Sequence, residues 1–199
     1  MWNLLVEPEG RSGAENMAID EALLEGADRN GAAFLRLYRW DPPCLSLGRN
    51  DSTPEPPGIA TVRRPTGGRA VWHEHEVTYA VAAPIAIFGR LRDAYRTIHE
   101  RLAAALQSLG VDARVAEDRP IGRLSDRPTS CFATTAGGEI LVCDRKVVGS
   151  AQARRGRAFL QHGSILLDGA ALGRVVSFEE VTEAIVAAWP AHLAPLAAR

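Results

Sequence analysis

A chain of 199 residues, 46% hydrophobic and 24% charged, has enough apolar material for one folded domain with a sizeable core, which sets aside disordered and low-complexity classes. A formal net charge of −1 sets aside general nucleic-acid binding. No run approaches bilayer length, and the opening MWNLLVEPEGRSGAE has no basic region followed by a long apolar run, so neither membrane insertion nor a signal peptide is expected.

Ser12 and Glu15 form an S-x-x-E capping box that predicts a helix from about 13 to 26. FLRLY (34–38) and CLSLG (44–48) read as short strands around a turn at Asp41-Pro42-Pro43. The proline-rich stretch 50–58 is a connector, 59–63 another strand, and Pro65 to Gly68 a break. AVWH and EVTYAVA follow, the second alternating as a half-buried strand does. Tyr95, Ile98, Leu102, Leu106 and Leu109 recur at three- and four-residue steps, which predicts a helix over 91–109 that stops at Gly110. The polar stretch 112–129 reads as an exposed loop.

Residues 139–143 and 146–149 predict a hairpin turning at Asp144-Arg145, and FLQHGSILLD one bent strand or two short ones. Ser177 and Glu180 form a second capping box, before a helix that turns Phe178, Val181, Ile185 and Trp189 inward and ends ahead of Pro190. Antiparallel-style strands with a few packed helices mean an α+β fold, with residues 1–199 as one domain.

Of the 23 basic side chains, 22 are arginine, so Lys146 is the only lysine. Arginine stays protonated, whereas a lysine can be tuned by its surroundings, and this one precedes a polar stretch, Val148 to Gln152, that reads as a turn. A leftover surface lysine in an arginine-biased sequence is the competing reading. The three cysteines, Cys44, Cys131 and Cys143, are odd in number and lack metal-ligand spacing, so reduced thiols, no metal and a cytoplasmic location are expected. Cys44 and Cys143 sit within apolar strand patterns and read as small buried residues. Cys131 stands outside any such pattern, and a thiol near an ammonium is a candidate nucleophile.

The segment 63–79, RRPTGGRAVWHEHEVTY, is the second dense stretch. Gly67 and Gly68 permit close backbone approach to a ligand, and Arg64 and Arg69 supply forked donors for a carboxylate or phosphate. A solvent-facing glycine turn is the plainer reading. His73 and His75 fall at alternating positions and so share one strand face. His162 falls in what reads as a turn, Gln161 to Ser164.

Arg63-Arg64-Pro65-Thr66-Gly67-Gly68-Arg69-Ala70-Val71, with His73 and Glu76-Val77-Thr78-Tyr79, resembles the signature of the lipoate–protein ligase and octanoyltransferase family. So do Lys146-Val147-Val148-Gly149-Ser150-Ala151-Gln152, Gln161-His162-Gly163-Ser164, the early helix and Pro43 to Gly48. The resemblance spans nearly the whole chain. It implies the biotin/lipoate-ligase type of α+β catalytic domain, with a mainly antiparallel or mixed sheet flanked by helices. Arg69 in place of a third glycine, together with Cys131-Phe132 ahead of the Lys-Val-x-Gly-Ser motif, is similar to the cysteine-dependent octanoyltransferases of Gram-positive type.

That branch implies octanoyl-acyl carrier protein as donor, a thioester on Cys131, and a lysine of a lipoyl domain or glycine-cleavage H protein as acceptor. Lys146 would then lower the Cys131 pKa and orient the acyl carbonyl. Arg64, Thr66, Gly67, Gly68, Arg69 and His73, with Gly149, Ser150, Ala151, Gln152, His162, Gly163 and Ser164, would bind substrate. The resemblance implies no cofactor, a monomer, and no nucleic-acid or membrane partner. ATP and magnesium enter only if the chain is instead a lipoate ligase. The same motifs would also suit a lipoyl amidotransferase or a non-catalytic acyl-binding member. Known relatives carry a longer helical stretch after the Ser-Ile-Leu strand, where about nine residues here separate Asp168 from Ser177, and many ligases carry a separate accessory domain.

Overall fold

The computed structural model describes residues 1–117, 138–189 and 192–196. Its strands are β1 (Trp2–Arg11), β2 (Ala33–Trp40), β3 (Cys44–Leu47), β4 (Thr61–Arg63), β5 (Val71–His73), β6 (Glu76–Pro84), β7 (Arg114–Val115), β8 (Ile140–Val142), β9 (Arg145–Arg155), β10 (Ala158–Leu166) and β11 (Leu193–Pro195). Its helices are α1 (Gly13–Asn30), α2 (Leu91–Ser108), α3 (Gly169–Leu172) and α4 (Phe178–Ala188), with a 3-10 turn at Ile85–Ile87.

Eight strands form one mixed sheet in the order β11-β1-β2-β6-β10-β9-β8-β7, and β4-β3-β5 form a second, smaller sheet. β1 runs parallel to β2 and β11, while every pairing from β2 through β6, β10, β9 and β8 to β7 is antiparallel. This is the α+β arrangement with a mixed sheet that the sequence predicts.

The period-two alternation of the central strands divides the core into two. Leu35, Leu37, Val77, Tyr79, Val81, Phe159 and Ile165 join the side that carries α2 and α4. Tyr38, Trp40, Ala80, Ala82, Ala158 and Leu160 face α1 with Met17, Leu23 and Leu24. Strand β6 lies between β2 and β10 and is buried on both faces from Glu76 to Ala83, so the half-buried strand expected there is a fully buried one. Trp2 closes the far end edge-on against Trp189, with ring centroids 5.3 Å apart.

Both capping boxes form as the spacing predicts, Ser12 with Glu15 and Ser177 with Glu180. Helix α1 continues past Gly26 and stops at Gly31, whose φ of 67° supplies the left-handed cap. The α2 boundaries match within a residue, and α4 buries Phe178, Val181, Ile185 and Trp189 as expected.

Several sequence expectations need correction. The turn after β8 falls at Cys143-Asp144, both at positive φ, one position before Asp144-Arg145, and it leaves Cys143 exposed. Gly149 to Gln152 lie inside the long strand β9, paired with β10, and Gln161 to Ser164 inside β10, paired with both β6 and β9, so neither stretch is a turn; strand pairing overrides their polar composition. Within 112–117, Ala113 is buried and Arg114–Val115 pair with β8. The remainder of that expected loop, and Cys131, lie outside the described residues.

Arg36 on β2 is the largest fully buried side chain among the described residues. Its guanidinium bonds Asp20 at 2.8 Å, Glu7 at 2.6 Å, and both the carbonyl and side-chain oxygen of Asn16. Removing it would leave a carboxylate buried beside β2 without its cation. Arg36→Ala is expected to lower the unfolding free energy by about 3–5 kcal/mol in a urea titration; a loss below about 1 kcal/mol, the range of exposed ion pairs, would show the cluster to be dispensable.

Candidate functional site

A pocket opens where the small sheet, the loop 64–70 and the strands β9 and β10 meet over α1. Met17, Tyr38, Trp40 and Val71 give it an apolar side, and Ser46, Arg64, His73, Thr78, Ser150, His162 and Ser164 a polar one. Gly68, Gly149, Ala151 and Gly163 complete its wall. Nine residues singled out from the sequence therefore converge here: Arg64, Gly68, His73, Gly149, Ser150, Ala151, His162, Gly163 and Ser164.

The glycine loop is seated by close backbone contact. A Cβ on Gly48 would stand 2.0 Å from the Gly68 carbonyl oxygen, so only glycine at 48 lets the loop lie where it does. Arg64 clamps it from within. Its guanidinium donates to the carbonyls of Gly67, Arg69 and Ser46 and to Ser46 Oγ. The expected open fork is thus largely occupied by backbone oxygens, although Arg64 still lines the pocket. Arg69 is half-buried, and its Nη1 makes no hydrogen bond. Thr66 is buried under the loop and bonds His162 Nε2 at 2.7 Å.

Two imidazoles in the wall carry a carboxylate on one nitrogen and a hydroxyl on the other. His162 Nδ1 meets Asp20 at 2.8 Å and its Nε2 meets Thr66. His73 Nδ1 meets Glu76 at 2.6 Å and its Nε2 meets Ser46 Oγ at 2.7 Å. His73 also stacks on Trp40, with centroids 3.9 Å apart and planes 10° from parallel. His75 does not share its face: β5 ends at His73, and the reversal at Glu74-His75 puts the His75 side chain 87% into solvent. Around Asp20, burial and then the Asp20 charge push the Tyr38 phenol well above its ordinary pKa, so it remains a donor to that carboxylate.

Behind Ser150, on the α2 side of the sheet, lies a buried polar chain that sequence reasoning missed. Gln152 donates to Gln161 at 2.8 Å, and Gln161 to Tyr79 Oη at 2.9 Å. Tyr79 Oη and Ser150 Oγ are 2.6 Å apart, Ser150 Oγ and His99 Nε2 2.7 Å, and His99 Nδ1 bonds the Gly138 carbonyl. A carbonyl only accepts, so Nδ1 carries the proton of a neutral ring and Nε2 accepts from Ser150. Ser150 has then spent its proton and accepts from Tyr79. Every bond runs in one direction, from Gln152 to Gly138.

Burial pushes the His99 pKa down to about 4, with the Lys146 charge acting the same way and the bond to Gly138 opposing both. Lys146 is 4% exposed and ion-paired with Glu139, the residue after Gly138. It stands three positions before Gly149 on β9, beside the wall and outside the pocket lining.

His99, Tyr79, Glu139, Asp20, Glu76 and Ser46 were not singled out from the sequence as site residues. The periodicity of α2 does place His99 next to Ile98 on the inward side, and a histidine on an apolar helical face was the available signal.

The folded state keeps His99 neutral below the pH at which the unfolded chain protonates it. The unfolded chain therefore binds more protons between about pH 6.5 and about pH 4, and this contribution is present above that window and lost as pH falls through it. The loss is expected to be about 3 kcal/mol. Denaturant unfolding at pH 7 and pH 4.5 should show a smaller pH difference in His99→Gln than in the wild type, and equal differences would refute the neutral-histidine assignment.

Residues 12–190 match the lipoyl protein ligase A/B catalytic domain family. The chain is 43% identical over 186 residues to the octanoyltransferase LipM of Carboxydothermus hydrogenoformans, covering 86% of this chain and 68% of that one. It is 41% identical to the octanoyltransferase LipM of Kyrpidia tusciae, covering 84% and 66%. The chain thus spans about two thirds of the length of the curated relatives it matches. A T. acidophilum protein solved with bound lipoic acid superposes with a TM-score of 0.71 at 26% identity, over 94% of this chain and 83% of that one. A lipoate-protein ligase A bound with ATP superposes at 0.70 and 25%, over 94% and 84%. The biotin protein ligase of Aquifex aeolicus, at 12% identity and 0.51, shares the fold.

Proposed function

The chain belongs to the lipoyl protein ligase A/B catalytic domain family, and from that premise we propose that it is a protein octanoyltransferase. In this reading residues 1–199 act as one catalytic unit in the cytoplasm. An octanoyl group passes from octanoyl-acyl carrier protein to a cysteine, and from there to a lysine of a lipoyl domain or H protein. The identity to octanoyltransferases supports the reaction, and the mixed pocket supports the substrate. Met17, Trp40 and Val71 suit an acyl chain, while the backbone of Gly149 to Ala151 lies where its carbonyl would need donors.

The observation that carries this reading is the buried Lys146–Glu139 pair beside the Ser150 wall. A thioester donor is already activated and needs no ATP. What it needs is a stabilised thiolate, and an ammonium fixed by a carboxylate is a permanent local cation for that purpose. Cys131, the proposed nucleophile, lies outside the described residues, seven positions before Gly138, whose carbonyl His99 bonds. Arg69 Nη1, buried without a partner, suits a carrier's phosphate.

Lipoate–protein ligation is the second reading, favoured by the likeness to the ATP-bound ligase structure. One experiment separates the two. The protein is incubated with octanoyl-acyl carrier protein without ATP, and its intact mass is measured. Gain of one octanoyl group, labile to hydroxylamine and lost in Cys131→Ala, is expected. Acylation of a lipoyl domain that requires ATP and survives Cys131→Ala would establish the ligase instead. Lys146→Met should form the adduct at least about 100-fold more slowly, the scale on which thiol activation is felt.

A further inference from the structure

The proposed reaction leaves one proton without a destination. The acceptor lysine arrives as an ammonium and becomes a nucleophile only on losing a proton. Lys146 is ion-paired with Glu139 and stands outside the pocket lining. His99 lies behind Ser150 and does not line the pocket. The imidazoles that do line it are His73 and His162.

These two differ in the charge behind them. Asp20, behind His162, is already ion-paired with Arg36 at 2.8 Å and takes the Tyr38 hydroxyl as well. Glu76, behind His73, is otherwise bonded by the neutral hydroxyls of Thr78 and Ser164. A proton arriving on His73 completes an imidazolium–carboxylate pair at 2.6 Å, under the face of Trp40. Arg64 is the opposing cation. It meets Ser46 Oγ at 3.1 Å, with that hydroxyl standing between it and the ring. Ser164 Oγ lies 3.3 Å from Nδ1, and the charged neighbours on the same hairpin, Glu74 and His75, are exposed. Ser46 gives its hydrogen to His73 Nε2 and one lone pair to Arg64, which leaves its second lone pair for a donor in the pocket.

We infer that Glu76, His73 and Ser46 form the proton relay that deprotonates the acceptor amine in the second half-reaction, a role that rests on the octanoyl-transfer reading. The ammonium gives a proton to Ser46 Oγ as Ser46 gives its own to His73 Nε2. The freed amine attacks the thioester carbonyl, and a C–N bond forms as the C–S bond breaks. The departing thiolate takes the proton shed by the new amide nitrogen, and His73 returns the stored proton to solvent. One ammonium and one thioester become one amide, one thiol and one proton.

The test treats the half-reactions apart. Enzyme loaded from octanoyl-acyl carrier protein is desalted, mixed with a lipoyl domain across a pH series, and followed by intact mass. A parallel sample is mixed with hydroxylamine, an amine already uncharged near neutral pH. In His73→Gln and in Ser46→Ala, transfer to the lysine is expected to fall by about 100-fold or more at neutral pH and to recover as pH rises. Loading and hydroxylamine cleavage should fall far less, which also shows that the variants are folded. Transfer at the wild-type rate in both variants would overturn the inference, and so would equal slowing of all three steps, the mark of a packing role. A selective loss of lysine transfer in His162→Gln would move the role to the other imidazole and overturn it as well. A wild type that never loads would remove the transfer reading itself, and this inference with it.

Discussion

Asp20 is the point through which the frame of the protein and its site are joined. It lies on α1 with no exposure, and its carboxylate receives Arg36 and Tyr38 from β2 and His162 from β10. A carboxylate buried alone would cost several kcal/mol, so the fold is tenable only where these donors converge. Convergence in turn demands that α1, β2 and β10 keep one register, because a slip of one residue would carry Arg36, Tyr38 or His162 to the opposite face of the sheet. Apolar alternation alone permits such a slip more readily, since both faces of this sheet are apolar. From His162 the requirement passes to Thr66, and so to the loop that walls the pocket.

The wall on the other side is held by absence of bulk. A Cβ on Gly163 would fall 2.3 Å from the Gly149 carbonyl oxygen and 2.5 Å from Ser150 Oγ. With glycine there, β9 and β10 close tightly enough for the Ser150 hydroxyl to touch the pocket while bonding His99 and Tyr79 behind the sheet. The sheet is thin at this point, so a polar group on the α2 side acts on the pocket without entering it.

Most of the frame was legible in the sequence because its signals are local. Capping boxes, the α2 stripe and the inward residues of α4 depend on neighbours three or four positions apart. What misled was composition read without pairing. Gly149 to Gln152 and Gln161 to Ser164 have the residues of turns, but both sit inside strands, the first paired with β10 and the second with β6 and β9. Cys143 sits in an apolar run yet occupies a turn, since the hairpin needs two residues at positive φ there. The site was half legible for the same reason. Residues in dense motifs stood out, whereas Asp20, Glu76 and His99 each also depend on a partner far along the chain, 142, 88 and 39 positions away.

The lone lysine makes physical sense beside the arginines. Arg64 binds three backbone carbonyls at once, which takes a planar fork of donors. Lys146 is a compact charge, and it is buried together with its carboxylate partner. With Glu139 it forms a pair that is neutral overall. Such a pair adds little field at rest, since the two charges offset one another at a distance. Close to the ammonium the offset is incomplete, and a negative charge appearing there, on a thiolate or on a carbonyl oxygen under attack, meets a dipole already oriented toward it. In the proposed transfer the carboxylate therefore does not weaken the lysine. It fixes the ammonium in place before the reaction supplies the anion that uses it.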